Sequence, residues 1–203
     1  MEKPSPNSNL MKSIAVFCGS SLGSPKTYAE QAFQLGKTLA KNNITLVYGG
    51  ANVGLMGAVA DGAIENGGKV IGVLPHFLQE KEIGHPHLAE LILVDNMHQR
   101  KTKMNELSEG VIMLPGGFGT FEEFFEMLTW AQLGLHKKPI ALLNTEGFYD
   151  ELLQMFDTMV EKGFVKQMHK DMVLHDENIG ILLGKIKNYI APEQGKWIKS
   201  NQL

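Results

Sequence analysis

Pro115-Gly116-Gly117-Phe118-Gly119-Thr120-Phe121-Glu122-Glu123 gathers residue types suited to holding an anion beside a carboxylate. Bare glycine backbone lets a phosphate reach peptide N–H groups, and the start of a helix adds partial positive charge. Arg100 and Lys101 place two cations at the start of another helix, an end where the dipole disfavours them. That placement points to a functional use of the charge. The glycine stretch also has a purely structural reading. Thr120 and Glu123 have the spacing of a capping box, with Thr120 capping the helix and Glu123 reaching back to it. Spacing alone leaves both readings open.

These groups need a scaffold to bring them together. The apolar run Val111–Leu114 leads into the glycine turn and an apolar-rich segment, Phe124 to Leu135, leaves it, so strand, turn and helix follow one another. The alternation recurs along the chain. Strands are expected at 13–18, 44–48, 69–74, 90–94, 110–114 and 139–143, with a short edge strand at 171–174. Helices are expected from Pro25, capped by Ser24, to about 43, then at 55–65, 97–108, from Thr120, and at 148–162 and 179–190. Residues 75–88 read as a loop. This pattern defines an α/β fold, a doubly wound, mostly parallel, Rossmann-like sheet with helices on both faces. In such a sheet the turns after strands one, two, four and five share one edge. They carry Ser20, Gly49 with Gly50, Arg100 with Lys101, and the stretch Pro115–Glu123.

A single domain over 11–190, between a loose tail at 1–10 and a polar tail at 191–203, suits a chain of 203 residues that is 43% hydrophobic. A net charge of −3 leaves no electrostatic footprint for nucleic acid or an anionic membrane. No apolar run approaches the roughly 20 residues of a membrane span, and residues 1–10 lack the apolar core of a signal. The one cysteine, Cys18, excludes an intrachain disulfide and suits a reducing, cytoplasmic setting. At the end of an apolar strand it reads as a buried structural thiol. His76, His85, His87 and His98 form no ligand pattern, so no metal is expected. A dinucleotide fingerprint fails because strand two ends Tyr48-Gly49-Gly50 without a carboxylate for the ribose, and a P-loop motif is absent. A mononucleotide or sugar phosphate remains.

Three further motifs join the glycine stretch: Met97-His98-Gln99-Arg100-Lys101, Gly49-Gly50-Ala51-Asn52-Val53-Gly54-Leu55-Met56-Gly57, and the segments 129–136 and 138–144. Together they resemble the LOG ("lonely guy") family of cytokinin riboside 5′-monophosphate phosphoribohydrolases, over roughly residues 13–190. The resemblance implies hydrolysis of the N-glycosidic bond of an adenine-type nucleoside monophosphate, without a cofactor. It implies Arg100 and Glu123 as the catalytic pair. Lys101, Gly116, Gly117, Phe118, Gly119, Thr120, Glu122 and Thr129, with Ser20, Gly49, Gly50 and Met97, would line the nucleotide site, and Glu82 would lie near the base. Phe118 stands where tyrosine is common, and Ala51 replaces a glycine or serine.

The residue types suit that chemistry. Breaking a ribosyl C–N bond builds positive charge on the sugar and negative charge on the purine. A carboxylate at Glu123 would stabilise the sugar cation and orient water, while Arg100 offers a permanent charge for the purine or the phosphate. Two rival functions are weighed: a carrier of nucleotide or molybdenum cofactor, which needs the glycine loop but no charge pair, and a lysine decarboxylase, which needs pyridoxal phosphate and an anchoring lysine. The helix from Thr120 is apolar on two sides, Phe121, Phe124, Phe125 and Leu128 on one and Met127, Trp130 and Ala131 on the other. One side suits the sheet and the other a second subunit, and the resemblance likewise implies a homodimer.

Overall fold

The computed structural model describes residues 11–79 and 84–193. Among these, seven strands form one sheet: β1 (Ser13–Phe17), β2 (Thr45–Tyr48), β3 (Val70–Pro75), β4 (Glu90–Val94), β5 (Gly110–Met113), β6 (Ile140–Leu143) and β7 (Val173–Asp176). Their order is β4-β3-β2-β1-β5-β6-β7 and every neighbouring pair is parallel, so the sheet is wholly parallel. The helices are α1 (Thr27–Lys41), α2 (Gly54–Ile64), α3 (His76–Gln79), α4 (Met97–Leu107), α5 (Phe118–Gln132), α6 (Asp150–Glu161), α7 (Gln167–Lys170) and α8 (Ile179–Lys187). No helix among the described residues is long and apolar enough to cross a membrane.

Strands covered on both faces must be apolar throughout, which is why β1 reads as a continuous run. Its side chains divide by parity. Ile14 and Val16 join Leu35 of α1, Val59 of α2 and Leu182 of α8 in one core layer. Ala15 and Phe17 join Met104 of α4, Phe124 of α5 and Phe156 of α6 in the other. On the first face α1 and α2 touch backbone to backbone. A Cβ on Gly36 would lie 2.0 Å from the Val59 carbonyl oxygen, and one on Gly62 would lie 2.0 Å from that of Phe33. Only glycine permits so close an approach.

Strand order reverses between β1 and β5, and the loops leaving these strands diverge to opposite faces. The crevice they leave at the carboxyl edge is where open α/β sheets bind ligands. Backbone hydrogen bonds join its walls: Gly19 N–H donates to the Pro115 carbonyl at 3.0 Å, and Leu55 N–H to that of Gly19 at 3.1 Å.

The first helix differs from expectation. It starts at Thr27 with Lys26 as an N-cap that makes no side-chain bond, so Ser24 does not cap it. Tyr28 N–H donates to the Pro25 carbonyl at 3.4 Å; the first turn is built from Pro25 onward and leaves Ser24 too far upstream. Helices α3 and α7 fall in stretches read as loop or left unassigned; four residues are too few for a periodic signal.

Candidate active site

A cavity of about 440 Å³ opens at the reversal point, a size suited to a small-molecule ligand. Val16 to Ser20 line it from the end of β1, Gly49 from the turn after β2, and Met56 and Leu78 from α2 and α3. Met97 and Arg100 reach it from α4, and Gly117, Phe118, Gly119, Thr120 and Glu123 from α5.

At its α5 end this cavity meets the start of a helix. Gly117 is the N-cap and makes no side-chain cap bond, so the first N–H groups of the helix lack a capping side chain. A Cβ on Gly117 or Gly119 would meet nothing within 4 Å, whereas one on Gly116 would lie 2.2 Å from Thr120 Oγ1 and 2.8 Å from the Gly19 nitrogen. Gly116 is therefore required by packing, and Gly117 and Gly119 keep open space in front of the backbone.

The capping-box reading fails here. The helix begins at Phe118, so Thr120 lies inside its first turn and Glu123 in its second. The strand ends at Met113, and the turn from Pro115 to Gly117 completes the reversal before Thr120 is reached. Glu123 is 8% exposed, and no hydrogen bond or ion pair among the described residues engages its carboxylate. Burial pushes its pKa up to about 7, against the opposing pull of the Arg100 charge. A helix residue used for capping alone has no need of that environment.

Arg100, 7% exposed, is fixed from two strands. Its Nε donates to the Val73 carbonyl at 3.2 Å and its Nη2 to the Gly49 carbonyl at 3.1 Å, with Nη1 3.7 Å from Met97 Sδ. Carbonyls at the carboxyl ends of parallel strands thus replace part of the water a buried guanidinium gives up. No ion pair within 4 Å joins Arg100 to Glu123 among the described residues. The two charges line one cavity without neutralising each other.

The seat for Arg100 depends on Gly49. A Cβ there would lie 1.9 Å from Nη2. Gly49→Ala is expected to displace the guanidinium and leave the fold intact, lowering turnover by about 10- to 100-fold. Steady-state kinetics beside circular dichroism would check this.

The remaining expected residues divide. Ser20, Gly49, Met97, Gly117, Phe118, Gly119 and Thr120 line the cavity. Gly50 does not; its positive φ of 81° turns the chain and its carbonyl accepts from His85 N–H at 3.1 Å. Gly116 faces an adjoining cavity of about 310 Å³ shared with Ser20 and Gly117. Lys101 and Glu122 face each other outside the main cavity, Nζ to Oε1 at 2.5 Å. Thr129 is exposed, far along α5 from the N-terminal turn, and Glu82 lies outside the described residues. Val16, Phe17, Cys18, Gly19, Met56 and Leu78 complete the lining unforeseen. Cys18 is buried as expected, and burial pushes its thiol far above the ordinary range, so it forms the floor as a neutral group.

The profile of the family described as "possible lysine decarboxylase" matches residues 56–184. A cytokinin riboside 5′-monophosphate phosphoribohydrolase of Arabidopsis thaliana is 45% identical over 177 residues, covering 87% of this chain and 83% of the relative. A probable enzyme of the same name from Oryza sativa subsp. japonica is 45% identical over 190 residues, 93% of this chain and 75% of the relative. Among solved structures, the molybdenum cofactor carrier protein of Chlamydomonas reinhardtii aligns with a TM-score of 0.64 at 21% identity, over 87% of this chain and 96% of that one. The molybdenum cofactor binding protein of Rippkaea orientalis aligns with a TM-score of 0.66 at 24% identity, over 87% and 95%. These structures share the fold. The chain belongs to the LOG family, whose profile carries the decarboxylase description. Among the described residues no lysine lines the cavity, and Lys101 is held by carboxylates outside it.

Proposed function

We propose that this chain is a phosphoribohydrolase that cleaves the N-glycosidic bond of adenine-type nucleoside 5′-monophosphates, AMP or its N6-modified forms, to free base and ribose 5-phosphate. The observation that carries the reading is the burial of Glu123 and Arg100 in one cavity, neither in an ion pair among the described residues, beside the uncapped start of α5. The names of the relatives at 45% identity support it.

The phosphate sits on the N–H groups of Phe118 to Thr120, assisted by the helix dipole. That leaves Arg100 for the purine. As the C1′–N9 bond breaks, its electron pair moves to the purine, and the fixed guanidinium offsets the negative charge. Glu123, ionised, stabilises the cationic sugar and takes a proton from the attacking water, whose oxygen forms the new bond at C1′. The purine acquires a proton from solvent. With a pKa near 7, Glu123 is a base poised close to neutrality.

Incubation with AMP, isopentenyl-AMP and adenosine, followed by chromatography of free base, tests the reading. Both monophosphates are expected to release base, with adenosine at least about 100-fold slower for want of the phosphate anchor. Saturable AMP binding without release of base would instead identify a carrier.

The protein is proposed to work in the cytoplasm, as one folding unit over 11–190, and as a homodimer. Phe125 on α5 is 38% exposed, Met155 on α6 is 51% and Phe164 is 85%, large apolar groups that a second subunit could cover. Multi-angle light scattering is expected to give twice the chain mass at micromolar concentration, and a monomer would refute the dimer.

A further inference from the structure

Lys101 neighbours Arg100 on α4, and Glu122 neighbours Glu123 on α5. Successive helical residues point about 100° apart, so a pair that faces the cavity leaves its neighbours facing elsewhere. Here the neighbours face each other. Lys101 Nζ lies 2.5 Å from Glu122 Oε1 and 3.0 Å from Glu126 Oε2, with the lysine side chain 7% exposed. Glu126 Oε2 is itself buried and has no hydrogen-bond partner among the described residues, so the ammonium is the charge that offsets it.

Lys101 is buried, but the Glu122 side chain is 57% exposed and that of Glu126 21%, so the cluster is weak as a source of stability, its attraction cut by solvent on one side and by desolvation of the lysine on the other. Its geometry is its distinctive property. Burial favours a neutral lysine, yet the hydrogen bond to Glu122 and the charges of Glu122 and Glu126 raise the pKa of Lys101 above the ordinary range, so the tie stays charged. We infer that Lys101 is a positioning residue: gripped by Glu122 and Glu126, it ties α4 to α5 and sets the separation of Arg100 and Glu123, without touching substrate. The inference rests on the catalytic reading of that pair.

Lys101→Met is expected to lower kcat about 10- to 100-fold while KM for AMP and the Kd of ribose 5-phosphate, measured by calorimetry, stay within about threefold. Glu126→Gln keeps the shape and is expected to lower kcat about fivefold with the same unchanged binding; it serves if Lys101→Met does not fold. Loss of ribose 5-phosphate affinity by about 30-fold or more with kcat retained would make Lys101 a phosphate ligand and overturn the inference. Unchanged kcat in both variants would overturn it too. If the wild-type protein releases no base, the catalytic reading falls and the tie is judged separately. A thermal double-mutant cycle of Lys101→Met with Glu126→Gln then shows non-additive shifts if the helices are tied, and additive shifts if they are not.

Discussion

Glu123→Gln is expected to lose at least about 100-fold in kcat and, above pH 7, to be harder to unfold than the wild-type protein. Both effects have one cause. The carboxylate is buried without a hydrogen-bond partner among the described residues, and its pKa of about 7 lies above the ordinary carboxylate value of 4.5. Between these values the folded protein binds the extra proton, so this group lowers stability as pH rises from about 4.5 to about 7. Above pH 7 the whole penalty is present, on the order of 3 kcal/mol. Replacing the carboxylate by an amide removes it, raising Tm by roughly 4–10 °C at pH 8 and by little at pH 4.5.

His136 sharpens the comparison. Burial, with the Lys138 charge second, lowers its pKa from 6.5 to about 4, and its Nε2 lies 3.0 Å from the Met127 carbonyl. Its contribution is complete above pH 6.5 and is lost as pH falls towards 4, the opposite slope to that of Glu123. In the wild-type protein the two slopes offset one another. In Glu123→Gln the slope of His136 is no longer opposed by Glu123, and His169 and His175, also lowered, add to it, so thermal scans from pH 4.5 to 8 should show stability climbing with pH. A variant no more stable than wild type at pH 8 would mean that Glu123 is solvated or paired.

Arg100→Met is expected to cost about 100- to 1000-fold in kcat, and to destabilise where Glu123→Gln stabilises. Removing the guanidinium takes a donor from the Gly49 and Val73 carbonyls. It also removes the charge that holds the Glu123 pKa down, so the acid limb of the residual activity moves above pH 7 and stability falls more steeply with rising pH. Combining Arg100→Met with Glu123→Gln should recover much of the lost stability and none of the activity. Arg100→Lys should not rescue, because one ammonium cannot reproduce a planar fork that reaches two strands. A pH–rate profile unchanged in Arg100→Met would separate the two charges and contradict the shared cavity.

The fold was legible because parallel strands buried on both faces must be apolar runs. β4 matches the expected 90–94, and β1, β2, β5 and β6 lie within a residue at each end. The lining of the candidate cavity was legible at Gly117, Gly119, Arg100 and Glu123, where glycine and charge stand in unusual places. Elsewhere local spacing misled. Thr120 and Glu123 satisfy the capping-box pattern, yet what decides is where the chain completes its turn after β5, which depends on Gly116 packing against Gly19 and Thr120. Lys101 and Glu122 adjoin the charge pair in sequence but lie on another side of their helices, a rotation that motif matching does not see. Phe17 and Cys18 line the cavity from a strand end that looks like ordinary core.

The most direct test of the catalytic reading is the stoichiometry of products from AMP, with wild-type protein and Glu123→Gln assayed side by side. Hydrolysis in this cavity predicts one ribose 5-phosphate for every free adenine, and a loss of both by at least about 100-fold in the variant. Release of adenine at a similar rate by Glu123→Gln, or adenine without ribose 5-phosphate, would contradict it.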